Sequence, residues 1–207
     1  MKVLLVNGSP HAQGCTYTAL SEVAKELEQH GVETEIIQTG TKPIQDCIAC
    51  GGCKGKGRCV FDDGVNEFLE KAEEADGFVF GTPVYYAHPS GRLLSFLDRA
   101  FYASPRSLFE GKPGAAVASA RRGGTTATLD AVNKYFSFSG MPTAGSTYWN
   151  MVHGTAAEQV AQDEEGLQTM RNLGRNLAWM VKAFAAAREQ GIKQPTPETT
   201  LKTNFVR

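Results

Sequence analysis

Lys2-Val3-Leu4-Leu5-Val6-Asn7-Gly8-Ser9-Pro10-His11-Ala12-Gln13-Gly14-Cys15-Thr16 stands at the start of the sequence, and its reading decides the fold. A short β-type apolar run ends at the turn dipeptide Asn7-Gly8. From Thr16 to His30, Leu20, Val23, Ala24 and Leu27 recur at helical spacing, and Gly31 sits just past the end. Val32 to Thr39 then alternates as a strand would. Strand, glycine-rich turn, amphipathic helix and second strand make a unit whose right-handed crossover implies a parallel sheet.

The alternation continues downstream. Asp63 is placed to cap a helix that carries Val65, Phe68, Leu69 and Ala72 on one face. Gly77-Phe78-Val79-Phe80-Gly81 is a continuous apolar strand, as expected of a parallel sheet covered on both faces. A helix follows from about Ser90 to Tyr102, with Leu93, Leu94, Leu97 and Phe101 expected to face inward. Ala115–Ser119 reads as the fourth strand, Thr126–Ser139 as a helix and Pro142–Tyr148 as the fifth strand. The longest helix spans Asp163–Gln190, with Trp179 expected to pack in the core beside Leu173, Leu177 and Met180. Five such strands predict an α/β chain folded as a flavodoxin-like three-layer sandwich, a five-stranded parallel sheet of order 2-1-3-4-5. Residues 1–190 form the expected domain, with a Cys-rich loop at 44–62. Residues 191–207, with Pro195 and Pro197, are expected to be an extended tail that another surface must order.

Composition narrows the function. The 207 residues carry 21 Lys+Arg against 22 Asp+Glu and are 42% hydrophobic. A net charge of −1 leaves no excess to hold a polyanionic nucleic acid or an anionic membrane. No apolar run approaches the roughly 20 residues of a membrane span, and the apolar stretch after Met1-Lys2 is too short for a signal-peptide core. The expectation is a cytoplasmic protein.

Three loops follow strands at one edge of the expected sheet. Ser9, His11, Gly14, Cys15 and Thr16 lie where backbone N–H groups and the positive end of a helix converge, an arrangement suited to a monophosphate. Neither the dinucleotide fingerprint nor the Gly-Lys-Ser/Thr ending of a triphosphate loop is present. Pro83, Val84, Tyr85 and Tyr86 form a stiff segment offering flat faces to an aromatic ring. Ser119, Arg121, Gly123 and Gly124 follow the fourth strand, where glycines allow close backbone approach and an arginine can meet an anion. Taken singly, each loop also reads as an ordinary turn.

Of five cysteines, four lie in Cys47-x2-Cys50-x2-Cys53-x5-Cys59. Such clustering in a cytosolic chain favours metal binding or redox chemistry over disulfides. The two-residue spacings suit a 4Fe–4S cubane; structural zinc and free or redox-active thiols are the competing readings. Lys54, Lys56 and Arg58 would offset the negative charge of a cluster. Cys15 stands apart and reads as a small polar lining residue, while His30, His88 and His153 read as ordinary surface.

Gly8-Ser9-Pro10 with Gly14 and Thr16, Thr82-Pro83-Val84-Tyr85, Leu97-Asp98-Arg99, Gly123-Gly124 and the terminal Thr203-to-Arg207 stretch together resemble the NAD(P)H-dependent FMN reductases of flavodoxin-like fold. The resemblance implies FMN phosphate held by Ser9, His11, Cys15 and Thr16, and an isoalloxazine ring bordered by Pro83–Tyr86 and Arg121–Gly124. In this family His11 replaces the usual arginine and Cys15 the usual asparagine, which implies weaker or more pH-dependent phosphate binding. The implied activity moves a hydride from NAD(P)H through FMN to a small acceptor such as a flavin or quinone, with no catalytic side chain required. The cysteine spacing, followed by Asp62-Asp63, is similar to that of iron–sulfur flavoproteins, which implies an alternative: an electron carrier passing electrons between a 4Fe–4S cluster and FMN. A third reading is a regulatory or zinc-stabilised module. The resemblance also implies a homodimer or homotetramer, with contacts expected along Pro89–Ser104 and the tail.

Overall fold

Leu4 and Val6 of the first strand join one hydrophobic core while Val3 and Leu5 join a second, so β1 (Lys2–Asn7) is buried on both sides. That is why its sequence is a continuous apolar run rather than an alternating one. The computed structural model describes residues 1–201 and 203. β2 (Glu33–Gln38), β3 (Gly77–Tyr85), β5 (Gly114–Ala120) and β6 (Met151–His153) lie parallel to β1 in the order β2-β1-β3-β5-β6. Counted among parallel strands alone, this is the expected 2-1-3-4-5. A two-residue strand, β4 (His88–Pro89), folds back antiparallel on the end of β3.

Helices α1 (Cys15–Gln29) and α6 (Glu164–Glu189) cover one face of the sheet. They approach closely at Gly174, where a Cβ would stand 2.8 Å from that of Glu26. Helices α2 (Gly64–Ala72), α3 (Gly91–Ala103) and α4 (Thr125–Phe138) cover the other, around a cluster in which the Phe68 ring lies 5.1 Å from Phe96 and 6.0 Å from Phe80. A four-residue helix, α5 (Ala157–Val160), precedes α6. Among the described residues no helix is long and apolar enough to cross a membrane.

Three expectations are corrected. The fifth strand is not Pro142–Tyr148: Thr143 makes only a single bridge to Gly114, and the chain leaves the sheet before returning as β6. Side chains and carbonyls outside the sheet hold the excursion, with Asn176 donating to Gly145 O at 2.8 Å and Ser146 donating to Thr169 O at 2.7 Å. Trp179 is 71% exposed, because the buried stripe of α6 runs through Met170, Leu173, Leu177 and Val181, and two positions beyond Leu177 is the opposite side of a helix. On α3 the buried face is Leu93, Phe96, Leu97 and Ala100, and Phe101 packs inward as expected, its ring stacked on Phe109 at 4.2 Å; Leu94 instead lines a groove of about 570 Å³ shared with Tyr135 and Phe138 of α4. Residues 192–201 are exposed and without regular structure. In the terminal stretch, Asn204–Arg207 lie outside the described residues.

Candidate functional site

The loop between β1 and α1 is shaped by side chains around it. Asn7 is wholly buried; its Oδ1 accepts from Ser9 N at 3.1 Å and its Nδ2 donates to His11 O at 3.2 Å and to Gln38 Oε1 at 2.5 Å. Gln38 in turn donates to Ser9 O at 2.7 Å, and Ser90, the N-cap of α3, donates to Gly8 O at 2.8 Å. Helix α1 begins after Gly14 with no side-chain cap and no acidic residue in its first turn. Its first N–H groups and positive dipole end are therefore left for an anion. Ser9 and Thr16 are buried beside them, whereas His11 is exposed. Thr16 Oγ1 and Ser119 Oγ are 2.8 Å apart. Cys15 turns its thiol to Gly154 O at 3.6 Å, and burial pushes that thiol's pKa up, so it is not activated by the helix end.

Pro83 and Val84 are half-buried, Tyr85 is exposed and Tyr86 projects entirely into solvent. Tyr86 and Ala87 hold the left-handed conformation, at φ 51° and 61°. Gly124, at φ 94°, lies against this segment: a Cβ there would stand 2.7 Å from Ala87 Cα and 3.0 Å from Val84 Cγ1. Arg121, Arg122 and Gly123 are exposed, and Arg122 O meets His153 Nε2 at 3.1 Å. Pro83–Tyr85 and Ser119, expected in loops, are among the last residues of β3 and β5, because the pairing of Pro83 with Ser119 and of Tyr85 with His88 carries the sheet further than the apolar run. With the β1–α1 loop they come together where the strand order reverses.

The four clustered cysteines are free thiols lining one small cavity with Phe61, Arg99 and Tyr102. Among the described residues, no three His, Cys, Asp or Glu side chains are gathered tightly enough to hold a single metal ion. The four cysteine residues instead border one common cavity. Arg99, with no exposed side-chain surface, donates through Nε to Cys59 Sγ at 3.2 Å and through both terminal nitrogens to Asp63 at 2.6 and 2.8 Å. Burial works against its charge, but Asp63 and Cys59 raise its pKa and keep it protonated. Asn66 fixes the same residue by its backbone, accepting from Cys59 N at 2.8 Å and donating to Cys59 O at 3.1 Å. Four thiols and a fixed buried cation form a donor set that fits an iron–sulfur centre. Helix α3 joins the two regions: nine positions separate Ser90, its N-cap bonded to Gly8 of the first loop, from Arg99, roughly 13 Å at 1.5 Å of rise per residue.

Residues 1–156 match the family model described as NADPH-dependent FMN reductase. The chain belongs to that family. It is an FMN-binding oxidoreductase, and the segments gathered above lie at the reversal of strand order, where open α/β sheets bind their ligands. It is 34% identical over 189 residues to an iron–sulfur flavoprotein of Methanocaldococcus jannaschii, covering 88% of this chain and 98% of the relative. An iron–sulfur flavoprotein of Methanosarcina thermophila is 29% identical over 197 residues, covering 92% of this chain and all of the relative. Among solved structures, RosB with a bound riboflavin-phosphate intermediate superposes with a TM-score of 0.70 at 15% identity, over the whole of this chain and 94% of that one, a likeness of fold.

Of the candidate flavin residues, Ser9, Gly14, Cys15 and Thr16 lie on the first loop and the start of α1, Ser119 at the end of β5 meets Thr16, and Val84 lies against Gly124. Arg121 and Arg122 stand in solvent without a side-chain partner among the described hydrogen bonds and ion pairs. The sequence does not single out Asn7, Gln38, Ser90 and Gly154, which hold the β1–α1 loop and Cys15, or Asn66, which holds Cys59. Asn7 had a signal, an amide ending an otherwise apolar strand; the others act through long-range contacts that no spacing reveals.

Proposed function

We propose that this oxidoreductase is an iron–sulfur flavoprotein in which Cys47, Cys50, Cys53 and Cys59 hold a 4Fe–4S cluster that exchanges electrons with FMN. The observation that carries the reading is the four free thiols around one cavity backed by the buried Arg99. The names of the relatives from Methanocaldococcus jannaschii and Methanosarcina thermophila support it, since nearly their whole length is covered. FMN, when bound, supplies both hydride and single-electron chemistry. The chain's part is binding and orientation. The uncapped first turn of α1, with Ser9 and Thr16, takes the phosphate; Pro83–Tyr86 and Gly123–Gly124 border the ring; the exposed Tyr85 and Tyr86 leave one side open to a donor or acceptor.

A second reading is favoured by the family description: an NAD(P)H-dependent reductase of a small acceptor such as a flavin or quinone, its four cysteines remaining thiols. Anaerobic purification separates the two. Iron and inorganic sulfide, each in about fourfold excess over the chain, together with FMN, are expected on the first reading. FMN without iron, with rapid NADH or NADPH oxidation and reduction of an added quinone, would overturn it in favour of the second. Colourless protein that takes up neither FMN nor iron would remove both.

A further inference from the structure

Arg99 is the largest fully buried side chain among the described residues, at a position where the face of α3 otherwise presents Leu93, Phe96, Leu97 and Ala100. A buried arginine is rare unless paired and hydrogen-bonded. Asp63 answers its charge, yet Asp63 engages only the two terminal nitrogens. The remaining donor, Nε–H, is spent on the sulfur of Cys59. Further bonds run to Gln45 O at 3.3 Å and Phe61 O at 3.0 Å, residues two positions before Cys47 and two after Cys59. The Phe61 ring lies beneath the guanidinium, 5.2 Å from its carbon. One side chain thus ties both ends of the cysteine segment and aims its last N–H at a thiol.

We infer that Arg99 is a positioning residue for the cysteine site: it fixes Cys59 as a ligand and raises the reduction potential of the centre held there, an inference that rests on the iron–sulfur reading above. Reduction adds one electron and makes no bond, so a fixed cation and an N–H donor at one sulfur favour the more negative, reduced state while Arg99 keeps its protons. A lysine at this position keeps the charge but cannot reproduce the planar fork that serves Asp63 and Cys59 together.

The test uses the full chain, reconstituted anaerobically with iron and sulfide. In wild-type protein grown on 15N-arginine, hyperfine spectroscopy of the reduced centre is expected to show a coupled 15N that is absent in Arg99→Lys. Arg99→Lys and Arg99→Gln are expected to have more negative midpoint potentials, or to fold with normal circular dichroism yet lose iron. Glu26→Gln, which removes a buried carboxylate paired with Arg175 and touches no residue of the cysteine segment, is expected to lower the melting temperature and leave the midpoint unchanged. Full iron content with unshifted midpoints in both Arg99 variants would overturn the role of Arg99 alone. So would the absence of a 15N coupling in wild-type protein, which decides the matter even if the variants fail to fold. Wild-type protein that takes up no iron would overturn the cluster reading and the inference with it.

Discussion

The hydroxyls of Thr16 and Ser119 stand 2.8 Å apart, joining the first turn of α1 to the end of β5 across 103 residues of sequence. Both residues are nearly wholly buried, at 1% and 4% exposure, so each hydroxyl has little access to water and the pair satisfies itself. Only one of the two protons is used in the pair. The other is free to be donated to an anion at the uncapped helix end.

Ser119→Ala should therefore leave the fold intact and weaken FMN binding roughly 5- to 10-fold, the equivalent of about 1–1.4 kcal/mol for one hydrogen bond. Thr16→Val should weaken it further, because it removes the donor nearer the helix end. Fluorescence titration of the FMN-free protein measures both; unchanged dissociation constants in the two variants would take the pair out of the cradle.

Gly124 connects the second and third loops by having no side chain. Its φ of 94° is costly for any other residue, and an added Cβ would meet the Ala87 backbone at 2.7 Å. Gly124→Ala should cost about 2 kcal/mol or more in stability and weaken FMN binding as the Val84–Ala87 segment is pushed away. Gly123→Ala is the control, since a Cβ there meets nothing within 4 Å. Denaturant unfolding of the two variants side by side should separate them clearly; equal stabilities would mean the loops are not in contact.

Tyr86 combines full solvent exposure with a left-handed backbone, a conformation bulky residues avoid. A residue held in that state without packing is better suited to meeting a ligand than to stabilising the fold. Tyr86→Gly should unfold at the same denaturant concentration as wild type or a higher one, with any gain about 1 kcal/mol or less. Electron transfer through its bound FMN from an added donor to an added acceptor should slow several-fold. Full turnover in Tyr86→Gly would show that the ring has no part in binding donor or acceptor.

The legibility of this fold in its sequence follows from where burial is two-sided. β1 over Val3–Val6 and β3 over Phe78–Phe80 are apolar without a break because Val3, Leu5 and Val79 face one core and Leu4, Val6, Phe78 and Phe80 the other, and that pattern has few alternative readings. The loops were legible because glycine, serine and proline cluster at strand ends. Helical phase was harder: Trp179 and Leu94 are apolar residues close enough to a buried stripe to be assigned to it, yet a rotation of one or two positions puts them outside. β6 was displaced because its position depends on Asn176 and Ser146 holding the preceding excursion, contacts between distant parts of the chain. The supports of the candidate site share that property. Ser90 reaches Gly8 across 82 residues and Arg99 reaches Cys59 across 40, so neither partner is visible locally.

Stability should fall in acid through one identifiable pair. Glu26, on α1 where it meets Gly174 of α6, has a side chain only 6% exposed, bonded to Arg175 at 2.6 Å and facing His30 at 3.3 Å. Burial alone would raise the pKa of this carboxyl, but Arg175 and, to a smaller degree, His30 outweigh it and hold the value below the ordinary 4.5. A carboxyl whose pKa is lowered by folding binds protons more readily when unfolded. Its contribution is then complete above pH 4.5 and is lost as pH falls through the lower folded value. Since the Arg175 side chain is 54% exposed, solvent screening limits the contribution to about 1 kcal/mol. Glu26→Gln should be less stable than wild type by about that amount at pH 7, and the difference should shrink as the pH is lowered below 4.5. Urea unfolding of the two proteins at pH 7, 5 and roughly 3.5 gives the comparison, the lowest pH lying about one unit below the ordinary carboxyl value. A gap that stays constant or widens in acid would mean that Glu26 is not held ionised by Arg175 in the folded chain.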